Sequence, residues 1–70
     1  MIPLTMIDTG QESIIKKIGG KADVKKHLED LGFVVGGNVK VISDTGGNVI
    51  VCVKDARIAI SREMAQKILV

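Results

Sequence analysis

Seventy residues make one small domain, of a size that buries only ~60% of the surface its unfolded chain exposes. Hydrophobic residues are 46% of the chain, with one Phe and no Tyr or Trp, which excludes disorder and points to a tight aliphatic core. A net charge of +2 permits an anionic partner without demanding one, and a single cysteine excludes an internal disulfide and a Cys-rich zinc site.

Residues Met1 to Gly10 read as a lead-in, with Leu4 and Ile7 placed to cover one end of the core before an Asp8-Thr9-Gly10 turn. No signal peptide and no apolar stretch of the ~20 residues that span a bilayer is visible, so the protein is expected in the cytosol. Glu12 to Ile18 follows as the first strand, with Ile14 and Ile18 on one face, Lys16 between them, and Ile15 and Lys17 pointing the other way. Gly19-Gly20 ends it.

A helix then runs from about Lys21 to Leu31. Val24, Leu28 and Leu31 form its core-facing stripe, and Asp23 sits in the first turn, where the helix dipole favours negative charge. Lys25 with Glu29 and Lys26 with Asp30 are i,i+4 pairs on the solvent side. Gly32 falls where a helix end takes positive φ, and Phe33 follows where a side chain packs back on Leu28. One of Val34 and Val35 should turn inward and leave the other exposed on a glycine-bounded loop closed by Gly36-Gly37-Asn38.

From Asn38 the chain is β. Val39 to Ser43 and Val49 to Lys54 flank a hairpin loop, Asp44 to Asn48, and the second of these strands is apolar on both faces, as in a doubly covered strand. Cys52 lies within it and reads as a small buried hydrophobe. Asp55-Ala56 is a short connection to a strand Arg57 to Ile60, with Ile58 and Ile60 inward. Ser61 caps a one- or two-turn helix packed by Met64, Ala65 and Ile68, and Ile68 to Val70 closes the sheet against the first strand. The fold class is therefore small all-β to α+β. It is a partly open SH3-like barrel of about five strands over residues 1–70, with one helix after the first strand and a short one before the last. With no long unpaired edge, a monomer is expected.

Catalytic chemistry has little to stand on. The one His and the one Cys lie on different elements, outside any catalytic signature, and the paired glycines lack the Gly-Lys-Ser/Thr of a phosphate loop. The protein is not expected to be an enzyme or to hold a cofactor. Asp23, His27 and Asp30, spaced i, i+4, i+7, offer one nitrogen and two oxygens to a transition metal such as Fe2+; the plainer reading is a solvated border of the apolar stripe. Lys16, Lys17, Lys21, Lys25 and Lys26 hold half of the basic residues in eleven positions. They suit nucleic acid or phospholipid, or simply a solvated face, and nucleic acid is not expected because stacking aromatics are absent.

The run His27-Leu28-Glu29-Asp30-Leu31-Gly32-Phe33-Val34-Val35-Gly36, followed by Val39-Lys40-Val41, resembles the central motif of the FeoA (ferrous iron transport protein A) domain family. The ending, Ile58 to Val70, resembles that family's closing helix and strand, and Leu4 to Gly20 is consistent with its opening. Two departures stand out. Val35 occupies a position where the family usually has proline, and the Asp44 to Asn48 loop is shorter than in many members. The resemblance implies an SH3-like barrel and a cytosolic accessory role beside FeoB, the ferrous-iron permease with a GTPase part, reached by protein–protein contact. Similar domains form the C-terminal module of iron-dependent repressors. The contact surface it implies is Leu31, Gly32, Phe33, Val34, Val35 and Gly36, with the lysine-rich edge beside it. Two rival readings are a nucleic-acid-binding barrel and a loose Fe2+ carrier through His27 with Asp23 and Asp30.

Overall fold

Alternation along the second half of the chain builds the larger of two sheets in the computed structural model, which describes residues 1–70. Strands β3 (Asn38–Asp44), β4 (Asn48–Val53) and β5 (Ala56–Ser61) form a meander, and β1 (Glu12–Ile14) adds to the other side of β3, giving the order β1-β3-β4-β5. Val39 and Val41 on β3, Val49, Val51 and Val53 on β4, and Ile60 on β5 all point to one side and are buried. An extra residue between Val41 and Ser43 makes a bulge in β3, which bends the sheet and increases its twist. The smaller sheet pairs β2 (Lys17–Ile18) with β6 (Ile68–Leu69), antiparallel, and closes the opposite wall of an SH3-like barrel.

The expected first strand is in fact two. Glu12 to Ile14 pairs with β3, whereas Lys17 and Ile18 pair with β6, and the chain changes partner at Ile15 and Lys16. There the Ile15 N–H donates to the Gly37 carbonyl at 2.9 Å and the Lys16 N–H to the Leu69 carbonyl at 2.8 Å. The bend breaks the two-residue period, so Ile15 and Ile18 are buried, while Ile14 is 53% exposed and does not share the face of Ile18. Six strands result.

Helix α1 (Ala22–Asp30) covers the barrel with Leu28 fully buried and Val24 and Leu31 packed beside it. The Lys25–Glu29 and Lys26–Asp30 pairs do not close; the molecule's one ion pair joins Arg62 to Asp44 at 2.8 Å. Asp44 also accepts from the Gly46 N–H at 2.9 Å. That hydrogen bond, with the Arg62 guanidinium beside it, holds the Asp44 carboxyl below the ordinary carboxylate range. The short helix α2 (Arg62–Ala65) begins as read from sequence, with the Ser61 hydroxyl accepting from the Met64 N–H at 3.2 Å. Leu4, in a 3-10 turn Leu4–Met6, is buried, and Ile7 packs against the core.

Three further expectations are corrected. Strand β4 is central but covered on one face only, so Cys52, between buried Val51 and Val53, turns outward and is half-buried. The β4–β5 turn is Lys54-Asp55, with Ala56 already paired to Val53. Finally, the barrel keeps an open edge: β5 pairs only with β4.

Candidate partner-binding site

The segment after α1 is built from three local devices. The first is the helix end. Gly32 has φ +109°, its N–H donates to the Glu29 carbonyl at 2.9 Å, and the Phe33 N–H donates to the Leu28 carbonyl at 2.9 Å. This is the two-bond Schellman closure, and its usual apolar contact is present, because Phe33 and Leu28 are both fully buried. The second is a β-turn over Val34 to Gly37, closed by the Gly37 N–H on the Val34 carbonyl at 3.0 Å. Gly36 sits at its third position with φ +89°, and Val35 is not among the positive-φ residues, which makes it a type II turn. The third is a tie to the strand break: the Gly36 N–H donates to the Ile15 carbonyl at 2.8 Å, and Gly37 accepts from Ile15 in return.

Together these hold the loop still while exposing its tip. Val34 is half-buried and Val35 is 65% exposed, so the inward valine is Val34. An apolar side chain fixed on a rigid turn is presented with little conformational freedom left to lose on binding.

Beside the loop lies a groove of about 300 Å³ on the outer face of the larger sheet, lined by Gly32, Gly37, Asn38, Lys40, Cys52 and Lys54 among others. The aliphatic stem of Lys54 lies over Gly32, where a Cβ would meet its Cδ at 3.5 Å. Across the groove runs a cross-strand row, Glu12 opposite Lys40, Lys40 opposite Cys52, and Cys52 opposite Arg57. Sequence reasoning missed this row. Its signal was available in part, since once Val39, Val41, Val49, Val51 and Val53 face inward, Lys40 and Cys52 must face out.

The metal candidates are not assembled. Asp23, His27 and Asp30 are all exposed on α1, and Asp23 accepts from the Val24 N–H at 2.9 Å. No three His, Cys, Asp or Glu side chains stand close enough to hold a metal ion. The five lysines of the basic run, Lys16 to Lys26, are exposed and free of ion pairs. No helix is long and apolar enough to cross a membrane.

The sequence model of the FeoA domain matches residues 2–70. The chain belongs to the FeoA domain family. A protein of Methanocaldococcus jannaschii named "Putative Fe(2+) transport protein A" is 39% identical over 70 residues, covering all of this chain and 85% of that one. The crystal structure of an iron uptake regulatory protein (FeoA) superposes with a TM-score of 0.86 at 25% identity, over 96% of this chain and 89% of that one. A manganese-dependent transcriptional repressor shares the fold at 16% identity and a TM-score of 0.84, over 94% of this chain and 38% of its own. The FeoA barrel thus recurs both as a small protein and inside a larger regulator.

Proposed function

We propose that this FeoA-family protein is a cytosolic, monomeric accessory of ferrous-iron uptake. It acts by contact with an FeoB-type membrane GTPase permease, and Leu31, Gly32, Val34, Val35 and Gly36 form the contact surface over the fully buried Phe33. Family membership and the name of the archaeal relative support the iron-transport setting. The observation that carries the contact reading is Val35, 65% exposed at the tip of a loop closed by glycines and tied to Ile15. Phe33 and Leu31 act from below, as the packing that fixes the tip. Ferrous iron enters this reading as the permease's cargo.

The test is an NMR titration of the isotope-labelled protein with the soluble GTPase part of a cognate permease. Amide shifts centred on Leu31 to Gly37, lost in Val35→Asp, are the expected result. Fe2+ added alone should leave the spectrum unchanged. Shifts at His27 with iron and none with the GTPase would replace the contact reading with a metal-carrier one.

A further inference from the structure

The smaller sheet carries a segregation of charge that the sequence scatters over three segments. Residues 1–7, 15–21 and 67–70 meet there and contain Lys16, Lys17, Lys21 and Lys67, with no acidic residue among them. The remainder of the chain holds six basic and all eight acidic residues. Lysines therefore gather on the smaller sheet, with the nearest carboxylates at its margins: Asp8 after Ile7, Asp23 after Lys21, and Glu63 on α2, which packs against the Leu4–Met6 turn.

Pairing fixes how these side chains stand. Pro3 is bridged to Leu69, and Leu69 is opposite Lys17, so the three share one face. Ile18 and Ile68, next along each strand, are buried on the other face. Lys67 is drawn in from the C-terminal side: its carbonyl accepts from the Gly19 N–H at 2.7 Å, and its stem lies close on Gly20. The Ile2 N–H and carbonyl bond to Val70, which lays the first residues along the free side of β6. Two large exposed hydrophobics of this segment, Met1 at 72% and Met6 at 69%, are left for the outer side, whereas Ile2, opposite Val70, stands on the side of Ile68.

We propose that this face, with Met1 and Met6 beside Lys16, Lys17, Lys21 and Lys67, docks on an anionic lipid surface. Exposed apolar side chains enter the interface while the lysines meet headgroup phosphates, the combination that holds proteins on anionic bilayers without spanning them. RNA fits less well. The only aromatic residue, Phe33, is fully buried, so no ring is available on which a base can stack. The face is distinct from the Leu31 to Gly36 loop, and its test is independent of the permease.

Sedimentation with phosphatidylcholine vesicles containing one-third phosphatidylglycerol should pull the protein down, increasingly so as salt is lowered. Pure phosphatidylcholine vesicles should not. Lys17→Gln with Lys67→Gln should weaken binding by about 25-fold, on the basis of about fivefold per lysine near the surface. Met6→Ser should weaken it several-fold, with circular dichroism unchanged in both variants. Lys26→Gln, which faces away from the α1 core stripe, should bind as the parent does. Equal loss in Lys26→Gln, equal binding to neutral vesicles, or binding of a single-stranded oligonucleotide but not of vesicles would each overturn the proposal.

Discussion

Between α1 and β3 the chain enters positive φ twice, at Gly32 (+109°) and Gly36 (+89°), and both times with glycine. Between β4 and β5 it does so at Lys54 (+50°) and Asp55 (+64°), with no glycine at all. The numbers explain the difference. Angles near +57° lie in the left-handed well, which an L residue occupies at about 1–2 kcal/mol, whereas angles near +90° and beyond lie outside it. The second turn is also imposed from outside. A two-residue hairpin with this strand twist requires positive φ at both positions, and six residue pairs from Val53–Ala56 to Asn48–Ser61 enforce it. The first turn owes its shape to its own residues; the second is held by its neighbours. The two also touch, through the Lys54 stem over Gly32.

Removing the anchor of the first turn should have the largest effect. Phe33→Ala deletes a fully buried ring beneath the loop and should destabilise by about 3–5 kcal/mol. In a chain this small, urea denaturation should find it largely unfolded, and a shift under 1 kcal/mol would mean that Phe33 does not anchor the loop.

Gly32→Ala comes next, with a loss of about 1–3 kcal/mol and at the upper end of that range, because +109° lies beyond the left-handed well. The added Cβ meets the Lys54 stem at 3.5 Å and the Val53 Cγ1 at 3.8 Å, both ordinary contacts, so the penalty is one of backbone rather than of space. A loss much greater than this would show a clash in place of strain.

In the second turn the same logic runs backwards. Asp55→Gly should raise stability by about 0.5–1 kcal/mol, since relief of left-handed strain is offset in part by a freer unfolded chain. No gain in thermal melting would mean that the Asp55 side chain supports the turn in some further way.

Smallest is Val35→Pro. Proline is favoured at the second position of a type II turn, and the Val35 N–H makes no backbone hydrogen bond. A gain of about 0.4–1 kcal/mol is expected. If Val35 is the contact residue, this variant should also change GTPase binding, which separates turn geometry from side-chain identity.

Much of the loop was readable from residue types alone. Gly32 followed by Phe33 after an apolar helical stripe names a Schellman end, and Gly36-Gly37-Asn38 names a turn, because each requirement is met within a few bonds of the residue that meets it. Ser61 was readable as a cap for the same reason. The strand Glu12 to Ile18 was not. Its residues suit a strand throughout, and nothing in their order says that Ile14 will pair with β3 while Lys17 pairs with β6. Ile15, and not Ile14, is therefore buried with Ile18. Cys52 misled similarly, since an unbroken apolar run fits a strand covered on both sides as well as one covered on a single side.

Local order along the chain was thus enough for the helix and its end, the Ser61 cap and the glycine turns. These depend on φ, ψ and hydrogen bonds made between near neighbours in sequence. The break at Ile15 and Lys16, the strained Lys54-Asp55 turn, the groove beside Gly32 and the meeting of Lys67 with Lys17 came from the assembled barrel. Each depends on which distant backbone supplies a hydrogen-bond partner, and a strand accepts any edge of the right length and direction. That choice is made by burial of the whole core.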